Sequence, residues 1–388
     1  MKLSSISYRD FRNIHEEKLN FSDGVNVLWG PNAQGKSNML EGIYFFARGR
    51  SFRGAKEREL CRIGTDSAGL YMEYFRGEGL VPCTLEAYIP AKGKKSLKRN
   101  GARLSGVREM IGSFCAVLFC PSHLSLVSGG PAVRRSFTDI ALSQLYPGYL
   151  QALARYNRAL LQRGALIKAA QTGTRADRSM WEVYAGILAQ SGAQIAAGRL
   201  EYITELSEKM NGIFSEMTNG AESPSVTYQS YALPKDAAES LSHNELIQAM
   251  ETRLYEGICS AEDRDIRLGA TSFGIHKDDA VIKLNGRDAK VYASQGQQRS
   301  LALAMKLCEG ELARKRLGEY PVFLLDDVLS ELDSGRRAFV LDHLSGRQIV
   351  VTSCEPELFG RDGFNLIPVE NGKIKRDPTA CPSESGSV

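Results

Sequence analysis

The stretch GPNAQGKS, residues 30–37, constrains the fold of this chain more than any other part of it. It fits the spacing GxxxxGK[ST]. An apolar run, GVNVLW at 24–29, precedes it, and KSNMLEGIYFFA at 36–47 follows with apolar residues at helical spacing. Strand, glycine loop and helix, in that order, let backbone N–H groups wrap a phosphate at a helix N-terminus. Gly30, Pro31, Asn32, Ala33, Gln34 and Gly35 would form the cradle. Lys36 would place a point charge on the β- and γ-phosphate oxygens of ATP, and Ser37 would offer a hydroxyl to Mg²⁺. The alternative, a glycine turn that merely opens a helix, accounts less well for the strand in front of it.

A phosphate cradle of this kind needs an acidic partner at the end of a buried strand. VFLLDD at 322–327 supplies two. Asp326 suits Mg²⁺, bound directly or through water. Asp327 stands where a carboxylate can orient or deprotonate the attacking water. Aspartate is also a good cap, so one of the pair could instead cap the next turn. In SELD, 330–333, Asp333 is either an N-cap or a contact to a neighbouring subunit. A second anion site is written at SQGQQRSLALAMKL, 294–307, a polar loop that becomes a helix. Ser294, Gly296 and Gln297 lie where free N–H groups and the helix dipole attract negative charge.

The chain has 388 residues, room for two or three domains. Its first part reads as strands around one helix. GLYMEYF and CTLEAYI are paired strands, and SLKRNGARL turns at Asn100-Gly101. From Pro131 to about residue 258 the pattern turns helical. A long amphipathic stretch at 180–214 takes the helix at about 149–170 as its antiparallel mate. Strands return after residue 270, at AVIKL, VFLLDD and QIVVT. This predicts an α/β P-loop ATPase head, split in sequence: 1–130 carries the P-loop, 131–258 is an inserted helical arm subdomain, 259–375 completes the head, and 376–388 is a disordered tail. No apolar run approaches the length of a membrane span, and the first residues alternate and turn polar, unlike a secretory leader. Eight cysteines with no CxxC pair predict free thiols in a reducing cytoplasm.

In order, GPNAQGKS, SQGQQR, FLLDD and SELD resemble the P-loop, signature, acidic strand and D-loop of an ABC-type ATPase head. Further stretches bring the resemblance closer. FRNI (11–14), RSFRGAKEREL (50–60), GGPAVRRSFTDIAL (129–142), RYNRALLQRGALIK (155–168), GIHKDD (274–279) and FLLDDVLSELD are similar to segments of the RecF family, SMC-like ATPases of bacterial recombination and repair, in that family's order. The chain departs from the family at Ile275 and Lys277, where GPHRDD is usual, and at Gly164, where Asn is usual. Its switch strand offers Thr352 and Ser353 rather than a histidine. The resemblance implies that Ser294 caps the γ-phosphate held by a second copy, and that Arg12 and Asn13 lie near the nucleotide. It implies a weak, DNA-stimulated ATPase whose heads pair on ATP over duplex or gapped DNA and part on hydrolysis. It further implies RecR and RecO as partners, binding near single-strand/duplex junctions, recombinase loading, a place in the SOS response, and a nucleoid-associated cytoplasmic location.

Net charge is only +4, so a DNA contact has to rest on local clusters. Residues 92–108 hold seven lysines and arginines without an acid, Lys94, Lys95, Lys98 and Arg99 among them. Such a cluster can neutralise several backbone phosphates. The alternative is a solvated strand edge guarded by lysines. Arg48, Arg50 and Arg53 form a second candidate. Arg134 and Arg135 are expected to hold the arm to the head through carboxylates. The rival overall reading is an SMC-like or transporter-type ABC head whose main partner is a protein or a membrane complex.

Overall fold

In the computed structural model, which describes residues 1–77, 79–173, 177–234, 241–359 and 363–375, alternating burial sets the first hairpin. Strands β1 (Lys2–Phe11) and β2 (Ile14–Asn20) pair antiparallel and bury Ile6, Tyr8, Phe11, Ile14 and Leu19 in one core cluster. Strand β3 (Val25–Trp29) leaves that sheet and runs into the glycine loop and the helix Lys36–Arg48. That helix buries Met39, Leu40, Ile43, Phe45 and Phe46, a wide apolar face. β4 (Ser67–Arg76) and β5 (Val81–Pro90) pair antiparallel as expected. β6 (Ser96–Arg99) and β7 (Ala102–Arg103) close a two-residue hairpin. Its Asn100 (φ 50°) and Gly101 (φ 77°) are both left-handed, as such a turn requires. The six strands lie in the order β2-β1-β4-β5-β6-β7. β8 (Ala116–Phe119), buried along its length, belongs to a different sheet.

The chain divides into two compact units, Met1–Pro121 with Leu317–Val388, and Ser122–Arg316. The second unit opens with helices Pro131–Leu145 and Pro147–Gln171. The next helix, Arg178–Thr218, runs for 41 residues, or about 60 Å at 1.5 Å per residue. It packs on Pro147–Gln171 and on the helix His243–Ser260. Gly192 lets the three approach, since a Cβ there would lie 3.0 Å from Leu254 and 3.3 Å from Tyr156.

One segment of the region expected to be helical is instead a strand, β9 (Pro224–Gln229). Its buried Pro224, Val226 and Tyr228 alternate with more exposed neighbours. It pairs with β10 (Asp279–Leu284), which also pairs with β11 (Arg287–Asp288). That pairing draws residues 259–316, read from the sequence as part of the head, into the second unit.

Ion pairs fix this unit. Arg134 grips both carboxylate oxygens of Asp279 at 2.7 and 2.8 Å, whereas Arg135 donates to the backbone carbonyl of Asp278. Arg163 meets Asp265 at 2.7 Å with both side chains buried, and Arg199 meets both oxygens of Asp139 at 2.9 Å. Removing one member of such a buried pair typically costs about 3–5 kcal/mol.

Back in the first unit, β12 (Val322–Asp326), β13 (Ile349–Ser353), β14 (Asn365–Glu370) and β15 (Lys373–Ile374) complete the second sheet, in the order β15-β14-β3-β13-β12-β8. All its pairings but β14–β15 are parallel, so β12 and β13 begin as apolar runs, VFLL and IVV, and turn polar only at their carboxyl ends. The carboxyl ends of β3, β12 and β13 therefore open on one side, where ligands of parallel sheets bind. The tail at 376–388 lies outside the described residues. None of the seven described cysteines forms a disulfide. Among the described residues no helix is long and apolar enough to cross a membrane.

Candidate functional site

Two glycines shape the loop at the end of β3. A Cβ on Gly30 would lie 2.3 Å from the Val369 carbonyl oxygen, and one on Gly35 would lie 2.7 Å from Oδ1 of Asn13. Gly35 has φ 103°, and Ala33 is also left-handed at φ 63°. A backbone coiled in this way turns its N–H groups inward as an anion nest. Lys36 is 4% exposed. Its Nζ donates to the carbonyls of Gly30 at 2.7 Å and Pro31 at 2.9 Å, and lies 3.3 Å from Sγ of Cys354.

Ser37 lies beside Asp326 at the end of β12, near enough for its hydroxyl to favour the charged carboxylate. Burial pushes the Asp326 carboxyl above its usual range, against the nearby Ser37 hydroxyl and the positive charge of Arg53. A carboxylate held beside a hydroxyl in that state fits a hard divalent cation, whose charge would offset what burial costs the anion. Among the described residues no group of three or more His, Cys, Asp and Glu side chains forms a metal cage. Ser37 with Asp326 suits an ion that keeps most of its shell as water and phosphate oxygen, as Mg²⁺ does.

Asp327 follows in a left-handed conformation, φ 51°. Its N–H donates to Thr352 Oγ1 at 2.8 Å, and that hydroxyl donates to Asp326 Oδ1 at 3.1 Å. Thr352 thus clasps the two aspartates from the adjacent strand. Neither aspartate caps a helix; Asp333 does, accepting from the Arg336 N–H at 2.9 Å. The half-buried carboxylate of Asp327 has no hydrogen-bond partner among the described residues and is free to meet a water molecule.

Arg12 and Asn13 divide. Asn13 reaches the loop: its amide donates to the Gln34 carbonyl at 3.4 Å and its Oδ1 accepts from Asn38 at 2.8 Å. Arg12 is spent on Glu41, a fully buried acid on the Lys36–Arg48 helix, at 2.8 and 2.9 Å. Ser51 donates to the same carboxylate. Glu41 and Cys354 escape a reading of the sequence, and Thr352 is legible only as a member of the switch strand, without its tie to the two aspartates. The one signal for Glu41 is an acid set among apolar residues in NMLEGIYFF.

The second anion motif lies in the other unit. The helix Gln295–Leu317 starts right after Ser294, and a capping box closes it. The Gln297 N–H donates to Ser294 Oγ at 3.2 Å, and the Ser294 N–H donates to Gln297 Oε1 at 2.7 Å. Gly296 sits within this first turn, its carbonyl accepting from Ser300 Oγ at 3.0 Å.

The basic cluster is less uniform than its composition. Lys94 is exposed, but Lys95 is folded in, donating to the Gly49 carbonyl at 2.8 Å and to Glu57 at 2.5 Å. Lys98 pairs with Glu86 at 2.9 Å on the surface, and Arg99 reaches Ser113 at 3.1 Å. A groove of about 630 Å³ beside the hairpin is lined by Lys94, Lys95, Arg103 and Ser105. Arg50 and Arg53 are exposed, with Arg53 donating to Asn38 at 2.9 Å.

The RecF/RecN/SMC N-terminal domain family matches residues 2–371. The chain is 35% identical over 377 residues to the DNA replication and repair protein RecF of Desulfitobacterium hafniense (strain DSM 10664 / DCB-2), covering 97% of this chain and 100% of that one. It is 34% identical over 378 residues to the protein of the same name from Bacillus subtilis (strain 168), covering 96% and 100%. Among solved structures it is similar to the recombination mediator protein RecF-ATP of the RecFOR pathway, with TM-score 0.84, 32% identity, and coverage of 96% of this chain and 98% of that one. An SMC head bound to the C-terminal winged-helix domain of ScpA shares the fold alone, with TM-score 0.54, 14% identity, and coverage of 97% and 96%.

Proposed function

Because the chain belongs to the RecF family, we propose that it is an ATP-dependent DNA-binding protein of recombinational repair and replication restart. The observation that carries the reading is the convergence of the Lys36 loop, Ser37 and the Asp326–Asp327 pair at the carboxyl ends of β3 and β12. The loop N–H groups take the phosphates, and Lys36 turns from the Gly30 and Pro31 carbonyls to the β- and γ-oxygens. Ser37 and Asp326 hold Mg²⁺, which supplies positive charge to the phosphoryl group in transfer. Asp327 positions the attacking water and takes its proton as the bond to ADP breaks. Ser294 of a second copy covers the γ-phosphate, so ATP joins two heads and slow hydrolysis parts them. The reaction is then a timer for a clamp on duplex or gapped DNA. Membership of the family supports RecR and RecO as partners, recombinase loading, the SOS response and a place beside the bacterial nucleoid.

Asp327→Asn is expected to leave ATP affinity within about twofold and to slow hydrolysis about 10²-fold or more, because an amide cannot accept the water's proton. Asp326→Asn weakens Mg²⁺-dependent binding instead. Equilibrium binding and steady-state turnover separate the two. A wild-type rate in Asp327→Asn would remove Asp327 from the chemistry.

The exposed Lys94, Lys98 and Arg99 support DNA backbone binding. Replacing Lys94, Lys98 and Arg99 with alanine, while sparing the packed Lys95, should weaken binding evenly across sequences. It should reduce the slope of log affinity against log salt by about one for each DNA phosphate that is no longer neutralised. An unchanged slope, measured by fluorescence anisotropy on duplex DNA, would assign these residues to a solvated sheet edge.

A further inference from the structure

The turn between the long helix Arg178–Thr218 and β9 carries Glu222, whose Oε1 accepts from Nε2 of Gln297. That side chain is held at both ends, because Gln297 Oε1 also accepts from the Ser294 N–H at 2.7 Å. The Gln297 N–H meanwhile donates to Ser294 Oγ at 3.2 Å. Two of the donors that would face a phosphate at this helix start, the N–H groups of Ser294 and Gln297, are therefore already in use. Glu222 cannot drift freely, because its neighbour Ser223 is tied to Asn285 by two hydrogen bonds of 2.8 Å, one donated each way. A fixed carboxylate beside this turn also repels an incoming phosphate.

We propose that Glu222 is a positioning residue that latches the Ser294 turn. It holds Gln297 in the self-capping position, and Gln297 must let go before the turn accepts the terminal phosphate of ATP carried by a second copy of this chain. The inference rests on the reading that Ser294 acts in trans. Releasing the latch should make ATP-driven pairing easier, while the chain's own hold on ATP stays the same.

The test has two readouts. In nucleotide-free protein, Glu222→Ala should speed hydrogen exchange at the Ser294 and Gln297 amides, measured on peptides covering 290–300. With an ATP analogue whose β–γ bond cannot be cleaved, plus Mg²⁺, the midpoint for pairing in sedimentation should fall about fivefold, the net worth of one ordinary hydrogen bond. Glu222→Gln, which keeps an acceptor without the charge, should fall between wild type and Glu222→Ala. Analogue affinity below the pairing concentration should not change. Wild-type exchange in Glu222→Ala, or a midpoint that is unchanged or raised, would overturn the latch. Ser294→Arg is run alongside. If it pairs normally, the trans reading fails, and the exchange result still decides whether Glu222 holds the turn. If it blocks pairing while Glu222→Ala behaves as wild type, the trans reading stands and the latch does not.

Discussion

Lys36→Met is expected to abolish tight ATP binding. The methionine fills much the same buried volume, so the loop keeps its packing, but it brings no charge to the β- and γ-phosphates. Hydrogen bonds to charged groups are worth about 1.5–3 kcal/mol each, and the ammonium would make two. That amounts to about two to four decades in Kd. The carbonyls of Gly30 and Pro31 lose the donor that now sits 2.7 and 2.9 Å away, so thermal melting should accompany the titration. A folded variant with unchanged affinity for Mg²⁺-ATP would reduce GPNAQGKS to a turn that opens a helix.

How far the sequence could be read follows from how local each signal is. The P-loop was legible because its chemistry is written in eight consecutive residues, with Gly30 closed in by the Val369 backbone and Gly35 held at a φ that side chains rarely adopt. The Asn100-Gly101 hairpin was legible for the same reason, since two left-handed residues in a row favour few residue types. Asp326 and Asp327 could be found at the end of an apolar run, but not told from caps. That distinction depends on Ser37 and Thr352, which only the sheet brings to them. Strand β9 was missed although Pro224, Val226 and Tyr228 alternate. The run is short, it lies among long helices, and its partner β10 is some fifty residues away. Arg12 illustrates the limit of resemblance. The resemblance set it near the nucleotide, whereas its guanidinium is taken up by the buried Glu41, 29 residues distant on an apolar helix face. The basic cluster shows the limit of composition, for Lys95 carries the charge of its neighbours and is nonetheless packed against Glu57 and Gly49.

Ser294→Arg is expected to block ATP-induced pairing and, with it, nearly all turnover. Ser294 closes the first turn of a 23-residue helix, and an arginine there puts a long cation where the second copy's nucleotide would approach. It also removes the hydroxyl that caps the Gln297 N–H, which costs about 1 kcal/mol at the helix start and which the fold should withstand. Because each catalytic site needs both halves, the chain's own P-loop should still bind ATP with nearly wild-type affinity while hydrolysis stops. Loss of ATP affinity in isolated Ser294→Arg chains would place Ser294 against its own phosphate and end the trans assignment.

The most direct test of ATP shared between two copies is to mix Lys36→Met chains with Ser294→Arg chains and measure ATP turnover. Each variant alone should be inactive, since every site in its pairs carries a defect. A mixed pair joins the intact P-loop of the Ser294→Arg chain to the intact Ser294 turn of the Lys36→Met chain, and gathers both defects in the other site. The account predicts that turnover reappears on mixing and peaks near equal proportions, at no more than about one quarter of the wild-type rate per chain when pairing is random and sites act independently. If labelled chains are seen to form mixed pairs and turnover stays at the level of the separate variants, the composite site is contradicted.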